Sequence, residues 1–532
     1  MSDLPPPPPV SPATPTPAPS SGAAGWKIAT AAAALAGLAL SGTVYVVMDR
    51  RVDDLQSDLD TMREQLAAAE ERAADGGLGA LGDLLGGLSG SGDLGDLGDL
   101  GELGDLGELG DLGDLGEMLG GLGGLGDVDP ILFQCLTPAD GGLGLGGEGS
   151  IPEGDVAIQV DAIEAIVEDE RGVAVDGDLD IEFVSLDEVQ RRAVDINSQE
   201  LDAAEAAADA TILTGLGAVE PGTDLVQEQL AALDAGVGGF YNPDDQKLVI
   251  GSETMDGLGA MVTSHELVHA MTDATFGLPD TQAIAASQGA DAAYAALNAI
   301  EGDASLYSQR FVGQHLPFDQ LMALQSTSDD TTAAMAELPH FVNRNLQFPY
   351  IEGMTFTCDV FLEGGWEAVD QTYATLPTTT AQILFPDRYR AGEAAVDVRD
   401  PAGPSGWTEA DSDTFGAADL LFLLEAPGND TDAALSEPKE RAAAWAGGEV
   451  HAWTQGDRSA VGLVLADRGE ATPLCDTVTD FYAAAFPGAT RGGDTGDATF
   501  DGDVQDAVVT CDGAEVALGT GPDLDTARAA VS

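Results

Sequence analysis

The sequence predicts an α+β domain with a mixed sheet, preceded by a single transmembrane helix and a low-complexity tether. Three observations predict this organisation. From about residue 150, the 532-residue chain mixes helical and strand patterns, including a β-hairpin directly followed by a helix. Residues 28–48 are apolar and uncharged, and residues 76–150 are rich in Gly, Asp and Leu. The main globular domain is therefore expected at residues 151–490.

The first 48 residues predict a tail followed by a membrane anchor. Residues 1–27 are proline-rich and favour an extended arm without a core. Residues 28–48 carry no charge and are long enough to span the hydrocarbon core of a bilayer. A cleaved signal peptide is the alternative, but this apolar run is too long and begins too late for one.

The orientation of this span rests on two opposed signals. Arg50 and Arg51 follow the span while only Lys27 precedes it, which favours a cytoplasmic C-terminal side. The spaced cysteines and the long tether favour the opposite arrangement. We expect a single-pass protein of the cell membrane whose C-terminal domain is extracellular.

Residues 52–73 predict a short helix next to the membrane. Apolar residues recur there at alternating spacings of three and four, as in a coiled-coil seam, for fewer than three heptads. A parallel homodimer and a solvated single helix both fit so short a seam. Residues 76–150 follow as a linker, whose Gly-Asp-Leu and Gly-Glu-Leu triplets lack the prolines of collagen.

The charge of the chain excludes one class of partner. It has 20 Lys and Arg against 93 Asp and Glu, a formal net charge of −73. Nucleic acid is excluded, because binding it requires cationic side chains that neutralise phosphates. A charge of this size is best tolerated where salt shortens the Debye length, to about 3 Å at 1 M, so a salt-tolerant source is expected.

The four cysteines predict two disulfides in an extracellular domain. No pair has the CxxC spacing of a zinc knuckle or a redox motif. Of the three connectivities, proximity favours Cys475 with Cys511, which leaves Cys135 with Cys358. Four buried free thiols in a reducing compartment are the alternative.

Local patterns predict the elements of the C-terminal region. The turn residues Asn242, Pro243 and Asp245 join two apolar strands into a hairpin at 239–250. Residues 491–532 are expected to form an acidic extension with short strands and a final helix. The other predicted elements are helices at 199–213, 256–275, 291–310, 331–337 and 366–374, and strands at 181–184, 461–466, 507–511 and 515–518.

Two of the five histidines stand four residues apart in the predicted helix 256–275. At this spacing both imidazoles of His265 and His269 lie on one helix face and can reach one metal ion, for which Zn²⁺ is well suited. Glu266 lies about 100° around the helix, beside an activated water, where it can act as general base. The alternative is a buried pair of histidines that only make hydrogen bonds.

A third ligand must come from elsewhere in the chain. The metzincin class is excluded, because Thr272 and Thr275 stand where that class has glycine and histidine. Glu301 falls in a second predicted helix and would complete a His₂Glu site. Asp291 and Asp303 remain as alternatives.

Further residues are candidates for supporting roles. Asp273 and Asp303 could orient the histidines by accepting their second N–H, although each is equally explained as a solvated charge. A donor to the oxyanion of a tetrahedral intermediate is also needed. The candidates for this donor are Tyr307, His340, Tyr350 and His451.

These residues carry a resemblance to a known family. HELVHAMTD, from His265, is similar to the active-site helix of thermolysin-like gluzincins, and EGDA, from Glu301, resembles their third-ligand helix. Over residues 160–490 the chain also resembles bacterial, often actinobacterial, membrane-anchored or lipoprotein gluzincin-like peptidases. The matching pieces are GFYNPDDQKLVIG, HELVHAMTDATFGL, ALNAIEGDA, FPYIEGMTF and GGWEAVDQTYATLPTTTAQILFP.

The resemblance implies a zincin-like metallopeptidase domain with an active-site helix. It implies that His265, His269 and Glu301 bind zinc, that Glu266 is the base, and that the 239–250 hairpin is the sheet edge for an extended peptide. The spacing from His269 to Glu301 is longer than in thermolysin-like enzymes, so the geometry of the third ligand does not follow from the motif.

Together these features predict a membrane-anchored zinc metallopeptidase. It would hydrolyse a peptide or protein substrate through a metal-activated water, with Glu266 as general base. The main alternative is a non-catalytic zinc-binding protein that acts in surface or cell-envelope interactions. Zinc-dependent hydrolysis of another kind of bond is also compatible with the motif.

Overall fold

The computed structural model describes residues 131–136 and 151–532, except positions 153, 176, 178, 201–202, 244, 253, 318, 322, 325–334 and 495–496. Within these ranges the protein mixes helices and strands, which confirms the α+β class. The predicted arm, transmembrane helix and juxtamembrane helix lie outside the described residues, as does most of the predicted helix 331–337. None of the helices in the described part combines the length and apolarity needed to cross a bilayer.

The described elements fall into a mainly helical part followed by a mainly β part. The helical part contains α1 (Ile131–Leu136), α2 (Val156–Arg171), β1 (Asp180–Phe183), α3 (Leu186–Glu200), α4 (Ala203–Leu216), α5 (Leu225–Gly236), β2 (Gly239–Asn242), β3 (Lys247–Ile250), α6 (Gly257–Phe276), α7 (Thr281–Gln288), α8 (Ala290–His315), α9 (His340–Gly364), α10 (Trp366–Ala374), α11 (Thr380–Leu384) and α12 (Pro386–Ala391).

The β part continues to the end of the chain. It contains β4 (Thr408–Thr414), α13 (Ala417–Glu425), α14 (Pro438–Ala442), β5 (Trp445–Gln455), β6 (Arg458–Asp467), α15 (Leu474–Ala485), β7 (Thr490–Asp494), β8 (Asp497–Asp501), β9 (Asp506–Asp512), β10 (Glu515–Gly521) and α16 (Leu524–Ala529).

A small mixed sheet lies in the helical part and has the order β1-β3-β2. β1 runs parallel to β3, whereas β2 and β3 form the predicted antiparallel hairpin, with Tyr241 opposite Leu248. Gln246 completes the turn with a left-handed φ of 54°. β2 is consequently an edge strand of this sheet.

A seven-stranded antiparallel sheet forms the second part, in the order β4-β5-β6-β10-β9-β8-β7. β10 pairs with β6 along six residues, for example Leu518 with Leu463. The sheet therefore crosses the domain boundary that the sequence places between residues 490 and 491. The acidic strands of 491–532 are integral to this sheet because their alternate side chains, including Val509 and Val516, enter its core.

Both disulfides join the pairs of cysteines that the sequence favours. Cys475 in α15 is bonded to Cys511 in β9, and Cys135 in α1 is bonded to Cys358 in α9. Helix α1 lies within the stretch predicted as linker, 76–150. It is nevertheless ordered against the domain, because Leu132 and Cys135 are buried beside α8 and α9.

Helix α6 lies where the sequence predicts a helix, at 256–275, and is capped at both ends. The Asp256 side chain accepts a hydrogen bond from the Gly259 amide at its start, and Gly277 adopts φ 76° at its end. Helix α8, which packs against α6, is buried along nearly its whole length. The two helices thus meet in the interior, where side chains from both can face one another away from solvent.

Helices α8 and α9 touch through their backbones. A Cβ added at Gly302 would overlap the carbonyl group of Gly353, and one added at Gly353 would overlap the carbonyl oxygen of Asn298. Neither glycine has a positive φ, so the need for glycine here is close approach and not an unusual backbone conformation.

We expect Gly353→Ala to destabilise the protein by about 1–3 kcal/mol, because the added methyl group must separate two buried helices. The free energy of unfolding from denaturant titration measures the effect. Gly488→Ala is the matched control, since a Cβ there has no atom within 4 Å. Equal stability of the two variants would show that the helices can separate without loss.

Candidate metal centre

The two histidines of α6 face one another across a single helical turn. Their Nε2 atoms are 3.1 Å apart, and their ring centroids are 4.7 Å apart at an interplanar angle of 80°. Both residues are buried, with His265 6% and His269 7% exposed. This is the arrangement expected of residues at i and i+4 whose side chains point at a common position.

Glu301 of α8 completes a group of three side chains. Its Oε2 atom lies 3.4 Å from the Nε2 atom of His265 and 3.4 Å from that of His269. These are the three residues whose ligand atoms converge closely enough to hold a metal ion among the described part of the chain. The motif did not determine how Glu301 is placed relative to the histidines. The packing of α8 against α6 determines it.

The size of this triangle fits a tetrahedral metal ion. A metal bound tetrahedrally at about 2.0–2.1 Å from each ligand requires ligand atoms about 3.3–3.4 Å apart. The observed edges are 3.1, 3.4 and 3.4 Å. Moreover, Glu301 Oε2 is buried and faces the Nε2 atoms of both histidines without a well-aligned hydrogen bond, so it retains an acceptor for a cation.

Glu301 and the two histidines change one another's pKa values. Burial raises the pKa of Glu301, but the two histidines outweigh it and lower that pKa to about 2. Conversely, burial lowers the pKa of His269, and the charge of Glu301 outweighs it to raise that pKa to about 9. The buried carboxylate thus demands a positive charge beside it, which a proton or a metal ion can supply.

Glu266 lies beside the group and is 2% exposed. Burial raises its pKa, while His265 and His269 oppose that shift. Its carboxylate accepts a hydrogen bond from the main-chain amide of Tyr241 in β2. The edge strand of the small sheet therefore orients this carboxylate, a contact that the sequence did not predict.

The two alternatives to Glu301 lie elsewhere. Asp291 is at the start of α8, about 15 Å along the axis from Glu301 at ten residues' distance. Its Oδ1 atom accepts hydrogen bonds from the amide and hydroxyl of Thr380. Asp303 is turned toward Arg171, which donates to both of its carboxylate oxygens at 2.8 Å. Both aspartates are engaged in contacts between structural elements.

The carboxylates expected to orient the histidines have other donors. Asp273 accepts hydrogen bonds from the Tyr241 hydroxyl at 2.8 Å and from the Leu278 amide at 2.9 Å. Asp303 accepts a further bond from the Tyr373 hydroxyl at 2.9 Å. Neither residue is a solvated helix charge, and their contacts connect the ligand-bearing helices to β2, α2 and α10.

Of the four candidate oxyanion donors, Tyr350 is at the site. Its ring centroid lies 6.3 Å from that of His265, and its buried hydroxyl lies beside the Glu301 carboxylate. Burial, together with the charges of Glu301 and Glu266, raises its pKa well above 10. The hydroxyl is therefore protonated and able to donate.

The other three candidates are in different surroundings. Tyr307 packs against Trp366 with ring centroids 5.8 Å apart. His340 pairs with Glu425 at 3.0 Å. His451 belongs to β5 of the large sheet and stacks on Trp453, with ring centroids 5.7 Å apart. None of these contacts involves the three converging side chains or Glu266.

Replacing Glu301 with Gln should weaken metal binding by more than about 100-fold, since partners outside the ligand set already contribute about 10- to 100-fold. The metal content of the purified full-length chain and a chelator-competition titration measure this. Asp419→Asn is the control, because this buried carboxylate accepts a hydrogen bond from the Gly416 amide at the start of α13 and does not face the histidines. Equal metal loss in both variants would contradict the assignment of Glu301.

Comparison with known proteins gives this centre no independent assignment. No protein-family model matches the chain, and neither a curated protein nor a solved structure matches it. The likeness to gluzincins therefore rests on the motifs at His265 and Glu301. The evidence for a metal centre is the geometry of His265, His269 and Glu301, whose ligand atoms lie close enough together to bind a metal ion.

Proposed function

We propose that the protein is a zinc-dependent peptidase that hydrolyses peptide bonds with Glu266 as general base. One observation carries the proposal: the ligand atoms of His265, His269 and Glu301 form a triangle of tetrahedral size directly beside a buried carboxylate. A carboxylate in that position can serve as the general base of hydrolysis. Three protein ligands also leave a fourth position open, as in catalytic zinc sites.

The donor set supports zinc among the available metals. Two imidazoles and one carboxylate suit a borderline-soft ion without redox chemistry, whereas magnesium and calcium prefer oxygen donors alone. When bound there, zinc would lower the pKa of a water and polarise a substrate carbonyl. The chain's own residues must then bind the substrate, take up a proton and stabilise negative charge.

Glu266 is placed to take up the proton. Because burial raises its pKa, the carboxylate is a stronger base than one in water. The Tyr241 amide holds it in one orientation. After accepting a proton from the attacking water, Glu266 can deliver it to the amine that leaves when the peptide bond breaks.

Tyr350 is placed to stabilise the oxyanion of the tetrahedral intermediate. Its hydroxyl is buried beside Glu301 at the proposed reacting centre and remains protonated. A donor that is already desolvated and oriented stabilises developing negative charge more effectively than water does. This role supplies the donor that the motif alone leaves unassigned.

The edge strand β2 supplies a surface for an extended peptide. The Gly251 amide donates to the Gly238 carbonyl, so alternation of the ladder directs the main-chain groups of Gly239 and Tyr241 toward the free edge. The Tyr241 amide binds Glu266, which leaves two carbonyl groups as acceptors. A substrate that adds as a strand would therefore lie against the base.

We further propose that residues 28–48 anchor the enzyme in the cell membrane with its catalytic domain outside. The two disulfides support an oxidising compartment. They include all four cysteines, so the alternative of four free thiols does not fit the structure. A peptide or protein substrate would then meet the site at the cell surface. A homodimer through residues 52–73 would place two such domains side by side, each with its own anchor.

Glu266→Gln should lower kcat for peptide cleavage by about 10²- to 10⁴-fold. One zinc per chain should remain bound, because the change removes a base and not a ligand. Cleavage of a mixed peptide library by the full-length chain, followed by mass spectrometry, measures the loss. Zinc binding without cleavage by the wild type would instead support the non-catalytic envelope role. A wild type without zinc would refute both functions.

Tyr350→Phe should lower kcat by about 10²-fold with little change in KM, because the hydroxyl acts on the transition state. Steady-state kinetics on a peptide identified from the library provide the measurement. Tyr307→Phe is the control, since it removes a buried hydroxyl from the same pair of packed helices away from the centre. Similar kcat values for Tyr350→Phe and wild type would remove Tyr350 from the mechanism.

A further inference from the structure

A buried arginine at the end of α2 binds a carboxylate of α8, the helix that carries Glu301. Arg171 is the last residue of α2, and its side chain is fully buried. Its Nε and Nη2 atoms each donate to one oxygen of Asp303 at 2.8 Å, and its Nη1 atom donates to Asp370 at 2.7 Å. The guanidinium also lies 4.8 Å from the centroid of the Trp366 ring.

Tyr373 extends this network to α6. Its hydroxyl donates to Asp303 Oδ2 at 2.9 Å and lies beside the Thr272 side chain of α6. Its ring stacks on Phe276, with centroids 5.1 Å apart. Asp303 therefore accepts from two side chains, one of which also contacts the helix that carries the histidines.

The network meets each ligand-bearing helix within one turn of a ligand. Thr272 follows His269 by three residues on α6, and Asp303 follows Glu301 by two residues on α8. The metal triangle needs ligand atoms from these two helices at 3.4 Å separation. A small shift between α6 and α8 would therefore change the triangle directly.

The chemistry of the contacts suits a positional role. A buried ion pair contributes little net stability, because desolvation offsets its Coulomb attraction. A guanidinium that donates to both oxygens of one carboxylate, however, fixes that carboxylate in distance and direction. None of these side chains touches the three ligand atoms, so any effect on the metal must pass through the two helices.

We propose that Arg171, through Asp303 and Tyr373, is a positioning residue that holds α6 and α8 at the separation required to bind the metal. The inference rests on the proposed function for the identity of that metal. It assigns to α2, which lies outside the recognised motifs, a part in building the centre.

The test compares zinc affinity with stability in the full-length chain. Arg171→Met combined with Asp303→Asn removes the ion pair without leaving Asp303 as an unpaired charge, and the carboxylate of Asp370, which also loses its partner, is partly exposed to solvent. Tyr373→Phe removes one hydroxyl. Arg388→Met is the control, because this buried arginine donates to main-chain carbonyls of Trp445 and Ala443 in the β part. Zinc dissociation constants, the absorption spectrum of the cobalt-substituted protein and the unfolding midpoint of the metal-free protein are measured for each.

We expect the double variant to bind zinc about 10- to 100-fold more weakly and to show an altered cobalt spectrum, with a smaller loss in Tyr373→Phe. Arg388→Met should unfold more easily yet bind zinc as the wild type does. Wild-type affinity and spectrum in the double variant would overturn the inference. Zinc binding by a wild type that cleaves no peptide would overturn the proposed function alone, and no zinc binding by the wild type would overturn both.

Discussion

The buried charge of Glu301 is the constraint on which the candidate centre depends. A carboxylate that is 3% exposed is costly unless a positive charge lies beside it, and both histidines point at its Oε2 atom. The next residue in the chain is Gly302, which lets α9 approach α8 backbone to backbone. The same stretch of α8 thus supplies the ligand and admits the helix that carries Tyr350.

The β part of the protein also acts on this centre, by holding the start of α8. The Ala290 amide donates to Asp413, and the Asp291 amide donates to the Thr414 hydroxyl, both in β4. Asp291 in turn accepts from Thr380, whose hydroxyl is also contacted by the Ala418 amide. Asp291 therefore anchors the helix that presents Glu301, which gives a structural reason for a carboxylate that resembles a ligand in the sequence.

The sequence predicted the parts of this site that local signals specify. The helix predicted at 256–275 agrees with α6, and the turn residues after Tyr241 predicted the hairpin. Helix α9 was missed, because Pro349 within it is a typical sign of a helix end. The contacts of Arg171 and the pairing of β10 with β6 were missed for another reason, because no local pattern encodes contacts between distant parts of the chain. Arg171 and Asp303 are 132 residues apart, and three strands lie between β6 and β10 in the sequence.

Electrostatic interactions act over two distances in this chain: a long-range field acts on an approaching peptide, and a short-range attraction holds the candidate metal ligands together. The net charge of −73 is spread over the protein, so its long-range field on an approaching peptide weakens as salt shortens the Debye length. The attraction among Glu301, His265 and His269 acts across 3.4 Å between side chains of residues that are 3–7% exposed, where mobile ions screen little. A strongly acidic composition is therefore compatible with a candidate metal centre whose ligand geometry is set by local packing.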